Sequence, residues 1–174
     1  MFDSKVYGGK KESWVDSFFN EMEWKKNRST LFEEIEPVIK GMGFSLVELS
    51  RQHIKGRLQV RLVVYHYSGV GLKDCEIIYK TIMPRLELIE QSQDIFLEVT
   101  SPGINRNIKY AHEFLVFIDR MVSVYCEDDD KWVSGKILLA DDNNLELQTN
   151  DGIIHIPIQD IKKAKLTYSQ EDNK

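Results

Sequence analysis

The stretch from Phe96 to Lys109, FLEVTSPGINRNIK, divides the chain into two textures and decides how the rest is read. Its first half alternates apolar and polar residues as a strand does. Ser101, Pro102 and Gly103 then spell a rigid corner, because proline fixes φ at the first corner position and glycine accepts the positive φ that a type II turn needs at the next. Arg106 and Lys109 follow this structural turn as a basic exit, beside backbone N–H groups of a kind that can hold an anion. On spacing alone, a plain interdomain turn with basic surface residues competes with an anion site.

Upstream of the corner, helices and strands alternate. Thr30, Glu33 and Glu34 put capping and negative charge at the start of a helix running to about Lys40, with Leu31, Ile35, Val38 and Ile39 on one face. Pro37 is expected to kink it, and Gly41 with Gly43 to stop it. FSLVELSR and RLQVRLVVYHY then read as a hairpin turning through Lys55 and Gly56. In its second strand Leu58, Val60, Leu62 and Val64 point one way and Arg57, Gln59 and Arg61 the other, giving a basic outer face. LKDCEIIYKTIMPRLELIEQ places Cys75, Ile78, Ile82, Leu86 and Ile89 on one helical face, with a kink or break expected near Met83 because of Pro84. IFLEVT closes the unit, so a three-stranded sheet with helices on one face is expected over residues 28–104.

Downstream the texture is almost all strand. A connector over 105–119 holds one short helical run, YAHEFLVFIDR, and MVSVYC, WVSGKILLAD, NLELQT, GIIHIPI and IKKAKLTY follow between the turn clusters EDDD, DNN and NDG. Five short strands over 120–168 suggest a small SH3-like or Sm-like β-barrel. The fold class is therefore α+β, an N-terminal α/β domain followed by an SH3-like barrel. Residues 1–27 form an extension in which Trp14, Phe18, Phe19 and Met22 recur at helical spacing, and 169–174 form a polar tail.

Composition excludes several classes of function. Apolar residues at 42% and charged residues at 29% fit a folded globular chain rather than a disordered one. No apolar run approaches the roughly 20 residues a membrane helix needs, and the charged N-terminus lacks a secretory core, so no membrane association and a cytoplasmic location are expected. Cys75 and Cys126 have no C-x-x-C spacing, which points to reduced core thiols and not to zinc. His53, His66, His112 and His155 have no helical histidine partner. Asp128, Asp129 and Asp130 begin like a calcium loop, but Trp132 falls at the fifth ligand position and Val133 at the glycine position. Gly69 and Gly71 lack the remainder of a nucleotide-binding loop. Neither a catalytic nor a metal site nor a cofactor is expected.

What remains is binding chemistry. The net charge of −5 conceals a segment from Leu49 to Lys73 with no Asp or Glu and with Arg51, Lys55, Arg57, Arg61 and Lys73. Arg51, Lys55, Arg57 and Arg61, together with Arg106 and Lys109, are candidate contacts to RNA phosphates, with Tyr65 and Tyr67 near enough to stack on bases. The competing reading is a solvated strand face that discourages edge aggregation.

Five segments taken together bear a resemblance. IEPVIKGMGF running into SLVEL, GVGLKDC from Gly69 to Cys75, LEVTSPGINR, HEFLVFIDRMVSV and DGIIHIPIQDIKKAKL occur in the order seen in the RimP-type ribosome maturation factors, from about Leu31 to Tyr168. The resemblance implies an N-terminal α/β domain and a C-terminal SH3-like barrel. It also implies binding to the immature small (30S) ribosomal subunit and its rRNA, assistance with assembly, and contact with small-subunit ribosomal protein twelve. The acidic turns Asp128, Asp129, Asp130, Asp141 and Asp142 are the candidate surface for that basic protein, and a monomer is expected. The alternatives are a non-ribosomal adaptor whose SH3-like barrel binds peptides, and an RNA hydrolase built on the acidic cluster.

Overall fold

The computed structural model describes residues 30–126 and 131–167. The helix expected around Trp14, the acidic residues Asp128, Asp129 and Asp130, and the tail 169–174 lie outside the described residues.

The first sheet has the order β1-β2-β3, with β1 (Ser45–Ile54) antiparallel to β2 (Arg57–Tyr65) and β2 parallel to β3 (Ile95–Thr100). Lys55 and Gly56 make the hairpin turn with φ of 52° and 84°, the pair of positive values that matches strand twist. A parallel partner requires a crossover, which α2 (Leu72–Glu90) supplies after α1 (Thr30–Gly41). Leu58, Val60, Leu62 and Val64 of β2 pack with Ile35 and Ile39 of α1, Ile78, Ile82 and Leu86 of α2, and Ile95 and Leu97 of β3 in one buried cluster. The period-two reading of β2 thus matches its buried face.

Both helices run through their prolines, so of the kink or break expected near Met83 the break does not occur. Pro37 and Pro84 are exposed, as are Glu33 and Lys80 one turn earlier, so water can reach the carbonyls that lose a backbone partner. The start of α2 is held by Asp74, whose carboxylate accepts the Gly71 N–H at 2.8 Å.

The opposite face of the first sheet is divided. A bulge between Leu46 and Glu48 turns Val47 away from the helices, and Val47 and Val63 join the second core with Phe114 and Phe117. Phe114 belongs to α3 (His112–Val116).

The second sheet comprises β4 (Met121–Cys126), β5 (Lys131–Ala140), β6 (Asn144–Thr149), β7 (Gly152–Pro157) and β8 (Ile161–Thr167), with a single 3-10 turn, Ile158–Asp160, between the last two. All five expected strands are present, but the SH3-like barrel is not. The order β7-β6-β5-β4-β8 is an open sheet, in which β7 and β8 are edges that do not pair with each other. Closure would require the free edge of β8, and the basic exit after the Ser101–Gly103 corner occupies it. Ile108 N donates to Ala164 O and Leu166 N to Arg106 O, each at 2.9 Å, on either side of an Asn107 to Lys165 bridge.

Candidate nucleic-acid interface

The half of the first sheet's outer face that the second core leaves uncovered is built by register. Ile54 lies across from Arg57, Gln52 across from Gln59 and Ser50 across from Arg61. On the other side of β2, Gln59 pairs with Phe96 and Arg61 with Glu98. Because cross-strand partners share a face, two arginines, two amides and one phenyl ring form a contiguous patch.

Phe96 is 49% exposed, although the burial of Ile95 and Leu97 on either side shows that β3 has an apolar face of its own. The Arg57 guanidinium lies 5.9 Å from the Phe96 ring centroid. Its Nε also meets Asp94 Oδ1 at 2.9 Å, and Arg61 Nε is 3.6 Å from Glu98 Oε2. These pairs are solvent-exposed and hence worth about 0–1 kcal/mol each, so a phosphate oxygen can replace the carboxylate at little cost. The patch can therefore offer two guanidinium groups and a stacking ring to the same ligand.

The other candidate residues are placed differently. Arg51 lies across from Val60 on the helix side, where its Nε donates to Glu90 Oε1 at 2.8 Å, and that hydrogen bond raises its pKa. Lys55 is exposed at the hairpin tip. Tyr65 packs edge-on against Phe117 at 5.0 Å and accepts a hydrogen bond from Arg120 Nε at 2.7 Å, which removes it from any stacking surface. Tyr67 is 70% exposed beneath the same guanidinium, at 4.9 Å.

Arg106 and Lys109 are brought together at the junction of the sheets. Arg106 has only 8% of its side chain exposed and donates from Nε to Glu113 Oε2 at 2.6 Å and from Nη2 to Glu48 Oε2 at 2.8 Å. Lys109 Nζ meets Glu48 Oε1 at 2.8 Å, and its backbone N–H donates to Glu113 Oε1 at 3.0 Å. Burial alone would push the Glu48 carboxyl up, but hydrogen bonds from Lys109 and Arg106 outweigh it and hold the group below the ordinary carboxylate range. For the fully enclosed Glu113 burial dominates and raises the pKa despite Arg106. The corner that precedes this network has Gly103 at φ 76°, the sign its turn position requires.

Among the acidic candidates, Asp141 accepts backbone N–H bonds from Asn143 and Asn144, both at 2.7 Å, and these hold its carboxyl below the ordinary range. Asp142 is exposed beside it at the β5 to β6 turn. No group of three or more His, Cys, Asp or Glu side chains among the described residues is arranged to hold a metal. Among those same residues, no helix is long and apolar enough to cross a membrane.

Sequence reasoning missed three residues, Phe96, Glu48 and Glu113. The alternation of IFLEVT carried the signal for Phe96, since flanking core positions turn it outward. Nothing local marked the two glutamates.

Comparison with known proteins bears on the same segments. The family model described as the RimP N-terminal domain matches residues 34–105. A protein of Borrelia turicatae (strain 91E135) named Ribosome maturation factor RimP is 29% identical over 143 residues, covering 81% of this chain and 96% of that protein. One of the same name from Borrelia hermsii (strain HS1 / DAH) is 27% identical over 141 residues, with the same coverage of both chains. The matched N-terminal unit contains the exposed arginine and phenylalanine patch together with the corner that leads to the junction network, and over most of its length the chain is similar to RimP-type ribosome maturation factors.

Proposed function

We propose that this protein is a non-enzymatic ribosome maturation factor of the cytoplasm that binds the immature 30S subunit and assists its assembly. The observation that carries the reading is the exposed patch of Arg57, Arg61, Gln52, Gln59 and Phe96 on a rigid sheet. Guanidinium groups bind rRNA phosphates, amides meet base edges or sugars, and Phe96 stacks against an unpaired base. Lys55 extends the basic surface at the hairpin tip. Arg106 and Lys109 serve the same RNA indirectly, by fixing the geometry between the two sheets, and Lys109, at 52% side-chain exposure, can also reach a phosphate.

The acidic turn at Asp141 and Asp142, together with Asp128, Asp129 and Asp130, suits a basic partner, and small-subunit ribosomal protein twelve is the proposed one. Binding and release suffice for this role, which the protein performs as a monomer built from two domains.

Cosedimentation with immature small subunits at a series of salt concentrations tests the reading. Arg57→Gln and Arg61→Gln are each expected to weaken binding and to flatten its salt dependence by about one unit of slope, as loss of one phosphate contact requires. An unchanged slope in both variants would exclude this patch as the RNA contact.

A further inference from the structure

We propose that the outer face of the second sheet, around Trp132, Lys163 and Lys165, is a second binding surface and takes an unpaired RNA strand. It goes beyond the reading above, which places the stacking RNA contact on the first sheet, and stands on different residues.

Register assembles the surface across β5, β4 and β8. Trp132, Tyr125 and Lys163 form one cross-strand row, and Ser134, Ser123 and Lys165 form the next. Val122, Val124, Ala164 and Leu166 point the other way into the core, so both rows face outward. Trp132 is 49% exposed, with the Tyr125 ring 5.6 Å away and tilted by 48°. Lys165 Nζ sits 5.3 Å from the Trp132 centroid. The Ser123 and Ser134 hydroxyls bond each other at 2.6 Å and make a low floor beside the indole. Among the described residues, neither Lys163 nor Lys165 forms an ion pair with a carboxylate.

An exposed indole next to two ammonium groups that no described carboxylate neutralises suits a ligand that carries flat rings and negative charges in alternation. A nucleic-acid strand has both, whereas an acidic peptide would use the lysines and leave the ring idle. Base stacking on an aromatic ring outweighs an exposed cation–π contact. A base therefore displaces Lys165 from the indole, and the freed ammonium meets the adjoining phosphate. The bases of a duplex are already stacked, so the strand must be unpaired.

The test uses the full chain with Trp14→Phe and Trp24→Phe, which leaves Trp132 as the sole indole of the three. The probe is an unstructured uridine-rich RNA of about ten nucleotides. Titration is expected to quench Trp132 fluorescence. By anisotropy of labelled RNA, Trp132→Ala and the double variant Lys163→Gln with Lys165→Gln should each weaken binding about tenfold, while Trp132→Tyr keeps most of it. Absence of quenching, unchanged affinity in Trp132→Ala, or competition by polyglutamate as effective as that by RNA would overturn the proposal. Arg57→Gln and Arg61→Gln should leave the quenching in place, so failure of this surface and failure of the first are read separately.

Discussion

Glu48 and Arg106, 58 residues apart in sequence, meet at 2.8 Å across the junction of the two sheets. The bulge in β1 turns Glu48 towards the junction, and the corner at Ser101–Gly103 delivers Arg106 from the other side. Arg106 also gives its carbonyl to Leu166, so one residue joins the ion network to the edge of β8. Tethering of the sheets at Arg106 is therefore both ionic and backbone in nature.

Arg106→Gln is expected to destabilise the fold by about 3–5 kcal/mol, because it leaves the enclosed Glu113 carboxylate without its compensating charge. Urea denaturation of the variant beside the parent chain measures this. A loss below about 1 kcal/mol would mean that the network adds little to stability.

Glu48 predicts the form of acid sensitivity. Its folded pKa is depressed, so its contribution to stability is complete above the ordinary carboxylate value of roughly 4.3 and is lost as pH falls through the lower folded value. Glu113, with a raised pKa, has the opposite sign and offsets part of that loss. Glu48→Gln should therefore flatten the acid side of a plot of unfolding free energy against pH, and a slope equal to that of the parent would contradict the assignment.

Gly135 is held by close approach and not by its backbone angle. A Cβ there would lie 2.8 Å from Gln148 O and 3.1 Å from Leu147 Cβ on the neighbouring strand. Gly135→Ala should cost about 1–3 kcal/mol, read as a lowered midpoint in thermal unfolding. A Gly41→Ala control, where the added methyl meets nothing within 4 Å, should avoid such a clash.

Phe96→Ala separates binding from stability. The ring is half exposed, so unfolding free energy should change by no more than about 1 kcal/mol. Affinity for immature small-subunit RNA should fall about tenfold if a base stacks there. A filter-binding titration that matched the parent would remove Phe96 from the interface.

Much of the fold was legible because local patterns and tertiary structure agree. The alternation in RLQVRLVVYHY located both the buried row and the outward arginines, and the five C-terminal strands were bounded by their turn clusters. Strand count did not reveal sheet closure, since whether the first and last strands pair depends on what else competes for their edges. The outward arginines were visible, but their carboxylate neighbours were not. Asp94 and Glu98 reach Arg57 and Arg61 only through the parallel register of β2 with β3. Arg106 was read as a basic exit, yet its burial depends on a glutamate from β1 and another from α3, a convergence that no local spacing encodes.

The edge of β8 bonded by the segment from Arg106 to Ile108 has a consequence for dissecting the molecule. A fragment begun at Met121 would contain every strand of the second sheet but would strip β8 of its cover, exposing donors and acceptors to intermolecular pairing and aggregation. A fragment begun at Ile104 would carry that cover with it. The segment between the sheets is thus structurally a sixth, irregular strand of the second one, and a proteolytic cut within it would damage that sheet rather than merely release it.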